Sequence, residues 1–141
     1  PPNKYDTGTR LARLALHNDY GFKDLLPCPL FKGHVIEGDR IRISFDHAQG
    51  GLMIAKKEGF PPPVPTPQAK LQWLSVQAKD GSWHWADGKI DGSDLVVSSK
   101  EVKDPVAVRY AYAQHPAGPL LYNKQGQPVS PLSTIGYGPQ E

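Results

Sequence analysis

At 141 residues, 38% of them hydrophobic, the chain has room for one domain and at most an appended helix. Its 15 prolines and 14 glycines exceed the usual combined share of roughly 12% and favour a loop-rich β domain over a helical bundle. The formal net charge is +2, with both signs mixed and no basic cluster longer than Lys56-Lys57, which argues against a nucleic-acid partner.

The pattern opens with a helix over 6–20. Asp6 or Thr7 can cap it, and Leu11, Leu14 and Ala15 fall on one stripe at i, i+3, i+4. Gly21 is its expected stop. A lone helix of about 15 residues is marginal in water, so the stripe needs a partner. Residues 22–33 read as a connector, loosened by Pro27 and Pro29, and a domain boundary is placed there. Cys28, between those prolines, has no second cysteine to pair with and reads as a spectator thiol.

Short strands follow. Val35-Ile36 and Arg40–Phe45 flank a tight turn at Glu37-Gly38-Asp39, with Ile41, Ile43 and Phe45 sharing one face. Gly50-Gly51 interrupts, and Leu52–Ala55 resumes. Residues 59–67 hold five prolines and cannot lie in a central strand, because proline removes a ladder donor. Leu71–Ala78, then Trp83 to Ile90, then Leu95–Ser98 continue a meander, with turns at Asp80-Gly81 and Asp91–Asp94. Over 106–113, Val106, Val108, Tyr110 and Tyr112 alternate with Ala107, Arg109, Ala111 and Ala113. The large residues are expected to fill a core, and the small ones to leave a groove for the stem of Arg109. Strands this short and this closely spaced predict an antiparallel β-sandwich, jelly-roll-like or Ig-like, preceded by one helix.

Chemistry-bearing clusters are sparse. His17, His34, His47, His84 and His115 show no metal-ligand spacing and have no cysteine pair beside them, so no metal is expected. Asp46 and His47 are adjacent, but strand neighbours point to opposite faces. Ser98, Ser99 and Ser130 lack a nucleophile-elbow frame, and the glycines form no phosphate loop, so no cofactor is implied. No apolar run approaches the roughly 18 residues of a membrane span, and no membrane partner is expected. Trp73, Trp83 and Trp85 are the best candidates for ligand contact, since indole faces stack on sugar rings. Core or interface packing is the competing reading, as large aromatics usually serve it.

Four stretches taken in order, PPNKYDTGTRLARLAL at 1–16, SFDHAQGGL at 44–52, KDPVAVRYAYA at 103–113 and LYNKQGQPVSP at 121–131, resemble the C-terminal part of the sialate O-acetylesterase family. That family is a branch of the SGNH-type serine esterases. The resemblance implies removal of acetyl groups from sugars by a Ser–His–Asp mechanism. Pro1, Asn3 and Lys4 resemble the segment that follows the family's catalytic His, which is expected just before Pro1. The nucleophile and oxyanion-hole residues are expected far upstream. No catalytic residue is therefore assigned within 1–141, and this chain alone is expected to be inactive on esters. The resemblance also departs in places. Tyr112 stands where the family commonly has Trp, and Leu132-Ser133-Thr134 stands for a Phe-Arg-Thr-like ending.

On this reading residues 1–21 are the terminal helix of an upstream SGNH-type catalytic domain, 22–33 the connector, 34–134 a β-sandwich and 135–141 a tail. The implied partners are that catalytic domain and an acetylated carbohydrate. The implied location is secreted, periplasmic or lysosomal. The competing functional reading is a free-standing carbohydrate-binding module, which would not need the amphipathic helix.

Overall fold

The computed structural model describes residues 4–113 and 116–135. In chain order its elements are α1 (Lys4–Asp19), β1 (Leu30–Glu37), β2 (Arg40–Asp46), β3 (Leu52–Lys56), β4 (Val64–Pro65), β5 (Leu74–Gln77), β6 (Trp83–Trp85), β7 (Asp87–Asp91), β8 (Asp94–Ser98), β9 (Ala107–Tyr110), β10 (Leu120–Asn123) and β11 (Leu132–Ser133). The strands make three antiparallel sheets in the orders β1-β2-β8-β7, β10-β3-β4 and β11-β9-β5-β6. This is the expected mainly-β sandwich preceded by a helix.

Alternation builds the core. Ile41, Ile43 and Phe45 of β2, Leu95 and Val97 of β8, Leu74 and Val76 of β5, and Val108 and Tyr110 of β9 meet in one buried cluster. The first and third sheets approach closely at Gly88, where a Cβ would lie 2.5 Å from Leu74 Cδ1. The strand expected over 83–90 is split at buried Ala86, whose N–H donates to the Leu74 carbonyl at 3.0 Å. β6 thereby stays with β5, while β7 crosses to pair with β8. The proline-rich stretch contributes only β4, an edge strand, where a missing donor costs no ladder bond. Tyr110 ties two sheets together, its hydroxyl accepting the Leu121 N–H at 2.8 Å. Burial pushes its phenol well above the usual tyrosine range.

The alternation expected over 106–113 stops early. β9 ends at Tyr110 because Ala111 adopts a left-handed conformation, φ 53°. Its N–H donates at 2.9 Å to the carbonyl of Trp73, itself left-handed at φ 65°. β5 and β9 thus break together at one rung. Tyr112 is turned out of the core face that strict alternation assigns it and sits on the side of Arg109.

The connector differs from expectation as well. β1 begins at Leu30, inside the stretch read as connector, and residues 24–29 are strapped to the sandwich rather than loosened by their prolines. The strap is the turn after β10. Fully buried Asn123 donates to the carbonyls of Pro27 (3.2 Å) and His47 (3.1 Å) and accepts the N–H groups of Gln125 and Gln127 (both 3.0 Å). Gln125 accepts the Leu26 N–H at 2.9 Å and donates to the Asp24 carbonyl at 2.7 Å. Arg13 of α1 donates to both the Leu26 carbonyl and Gln125 Oε1. Ser130 N–H donates to the Pro29 carbonyl at 3.1 Å. The LYNKQGQPVSP stretch is therefore a clasp that fixes the path from helix to sandwich.

Candidate functional site

The outer face of the β11-β9-β5-β6 sheet carries the aromatic residues singled out from sequence. Trp83 and Trp85 share a face because they are two apart on β6. Cross-strand pairing sets Gln77 and Ala107 in the row of Trp83, and Ser75, Arg109 and Ser133 in the row of Trp85. The small residues Ser75 and Ala107 leave room for the long stem of Arg109. Its guanidinium lies 4.0 Å from the Trp83 ring centre and 4.6 Å from that of Tyr112. A cation between two aromatic faces stabilises an exposed site by about 0.5–1 kcal/mol per contact. Trp83 is therefore a wall of the scaffold, with one face covered.

Trp73 and Trp85 form a separate corner. Their ring centres are 6.4 Å apart and their planes 77° from parallel. Trp85 is 72% exposed, so core packing does not describe it. Trp73 is held from two sides: its indole N–H donates to the Ala117 carbonyl at 2.7 Å, and its carbonyl accepts from Ala111. A bulky residue in the left-handed region costs on the order of 1–3 kcal/mol, which the surrounding bonds must offset. The corner opens on a cavity of about 350 Å3, floored by Leu71, Leu74 and Ala86 and rimmed by Lys70 and Gln72. The sequence signal for the corner was the tryptophans. The backbone break that positions Trp73 carries no Gly or Asn to announce it.

A second constellation was not anticipated. Ser82 Oγ lies 2.9 Å from His84 Nε2, and His84 Nδ1 lies 3.0 Å from Glu101 Oε2. The i, i+2 spacing of Ser82, in the turn before β6, and His84, on β6, is its only sequence signal, and Glu101 joins through the turn after β8. The row has the order of a serine–histidine–acid relay, but Ser82 Oγ also donates to Asp80 Oδ1 at 2.5 Å. The serine proton is thus engaged by a carboxylate instead of being offered to the imidazole. The hydroxyl and amide of Ser82 together hold the Asp80 carboxyl below its usual range. The row is a turn lock on an exposed edge.

The helix completes the picture. Its half-buried side is polar: Asp6, Arg10, Arg13 and His17 recur at helical spacing toward the sandwich. Asp6 pairs with Lys57 at 3.1 Å, both side chains under one-fifth exposed, and the His17 ring packs edge-on to that of His47 at 5.1 Å. Burial, and then the neighbouring His17, lower the His47 pKa. Of the expected stripe, Leu11 is turned out at 64% exposed, Leu14 lies at its margin at 39% and Ala15 is half-buried, and no residue of α1 is buried. Tyr20 and Phe22 extend the exposed apolar surface past Gly21. Of the residues resembling an active-site flank, Lys4 is the exposed first residue of α1. Pro1 and Asn3 lie outside the described residues, as does His115.

No family model matches the chain, and no curated protein matches it. Among solved structures it is similar to a novel carbohydrate acetylesterase from Xanthomonas citri, with a TM-score of 0.77 and 33% sequence identity. The match covers 95% of this chain and 28% of that enzyme, so the chain spans little more than a quarter of its length. Nearly the whole chain is thus related in sequence and fold to one part of a carbohydrate esterase.

Proposed function

We propose that these residues form the C-terminal accessory part of a carbohydrate O-acetyl esterase of the sialate O-acetylesterase-like, SGNH type. The esterase removes acetyl groups from sugars with a Ser–His–Asp site carried by its catalytic domain. The observation that supports this best is the orientation of α1. An isolated module would turn a leucine stripe inward, whereas here charged residues face the sandwich and Leu11 and Leu14 face outward. An apolar stripe left outside on a helix held by its polar side marks a surface for another element to cover. The catalytic domain is the surface this reading assigns. The resemblance to about a quarter of an acetylesterase supports the same division of labour. Lys4, at the start of α1, then lies close to the active site, and residues 34–134 brace the catalytic domain and shape the sugar cleft.

Two measurements test this. Residues 1–141 alone are expected to cleave p-nitrophenyl acetate no faster than free imidazole does, and Ser82→Ala to change nothing. In the intact esterase, replacing Leu11 and Leu14 together by Glu is expected to lower acetate release from acetylated sugars and reduce the melting temperature, with the sandwich still folded. Saturable turnover by 1–141 that a serine-directed phosphonate abolishes would sink the reading. So would full activity and stability in the double variant.

A further inference from the structure

We infer that the corner between Trp73 and Trp85 is a carbohydrate subsite that seats a neutral pyranose ring of a glycan chain. The two indoles meet at 77°, so a ring stacked on one presents its edge to the other. A pyranose fits that shape: its C–H faces are apolar and its hydroxyls point outward from the rim. The cavity of about 350 Å3 lies within the roughly 300–1,000 Å3 span of small-molecule sites. Its floor of Leu71, Leu74 and Ala86 is apolar and buried, and the polar side chains of the lining, Lys70 and Gln72, are exposed.

Those edge groups select for a neutral ligand. Lys70 Nζ is paired with Asp87 Oδ1 at 2.7 Å, so the rim presents a balanced ion pair rather than a free cation for phosphate or carboxylate. The Gln72 side chain lies over Gly118, where a Cβ would come 2.8 Å from its Oε1. An amide and an ion pair together offer donors and acceptors to hydroxyl groups. The corner is also pre-formed. Trp73 is locked by its bond to Ala117 and by a left-handed backbone that must be supported elsewhere, so little ordering remains for a ligand to induce. Trp85, 72% exposed and not covered by Arg109, supplies the free stacking face. The choice of a carbohydrate over another neutral ring rests on the carbohydrate-esterase reading above. The site itself belongs to this chain and not to the catalytic domain.

The 141-residue chain is to be titrated with cellohexaose, xylohexaose and mannohexaose, each plain and O-acetylated, following tryptophan emission and two-dimensional NMR. At least one probe is expected to bind saturably and shift the indole resonances of Trp73 and Trp85. Trp85→Ala should weaken that affinity about ten-fold or more, as expected for loss of one stacking face. Gln72→Ala should weaken it less. Trp83→Ala, whose ring serves Arg109, should leave it within about two-fold. Failure of all six probes overturns the subsite, and so does equal affinity in the Trp85→Ala and Trp83→Ala variants. Such failure alongside a positive Leu11/Leu14 test would leave the accessory reading intact. Binding with a negative Leu11/Leu14 test would keep the subsite in a free-standing carbohydrate-binding module.

Discussion

Replacing Asn123 by Ala tests whether the clasp holds the helix and connector to the sandwich. Asn123 is fully buried and serves four backbone groups: the Pro27 and His47 carbonyls and the Gln125 and Gln127 amides. A buried group left without a partner costs about 1–3 kcal/mol. The bond to Pro27 is buried and the other three are part-buried, so water offsets some of their loss. One full orphan, three partly rehydrated ones and a small void together give about 3–4 kcal/mol. For a domain of this size that is a fall of about 10 °C or more in melting temperature. Urea unfolding should show a lower midpoint with an unchanged slope. Because Asn123 Oδ1 positions the loop that presents Gln125, adding Gln125→Ala to Asn123→Ala should cost less than Gln125→Ala alone. A loss under about 1 kcal/mol, or strict additivity of the two substitutions, would refute the clasp.

Two further outcomes are expected. Tyr110→Phe removes the acceptor of the buried Leu121 N–H and should cost about 2 kcal/mol by urea titration, with no change in the aromatic corner. For His47, a lowered folded-state pKa means that the unfolded chain binds the proton more readily, so stability contributed by the neutral ring is lost as pH falls through its ordinary value of 6.5. Stability measured from pH 8 to 5 should decline across that range, and His17→Gln should flatten the decline by removing the facing imidazole.

Much of the fold was legible because period-two burial is a strong signal. Ile41, Ile43 and Phe45, and Leu95 and Val97, needed only alternation to be placed. The misplaced residues lie where tertiary contacts override local pattern. Tyr112 left the core because Ala111 and Trp73 adopt left-handed conformations together, and neither residue type favours them. Pro27 and Pro29 suggested a loose connector. Its order comes from a turn about 100 residues later, through Asn123, Gln125 and Ser130. Arg109 was expected to snorkel along small neighbours. That groove exists, but its end is built by Trp83 and Tyr112, one on another strand and one past the break. The tryptophans were visible as candidates, yet their roles divided by partner. Arg109 covers Trp83, while Trp85 stays open.

The helix joins these observations. Sequence showed its apolar stripe, but not which way it turns, because a helix with a leucine stripe and a charged stripe fits two opposite orientations. The clasp decides between them. Arg13 is held by Leu26 and Gln125, Asp6 by Lys57, and His17 packs on His47, so the charged side is committed to the sandwich from one end of α1 to the other. Rotating the leucines inward would break all of these contacts and leave the part-buried Asp6–Lys57 pair divided. Such partly buried pairs are costly to break singly, because each leaves a charge with poor solvation. The outward face of Leu11 and Leu14 is thus a consequence of how the sandwich holds the helix, not of a loosely attached segment.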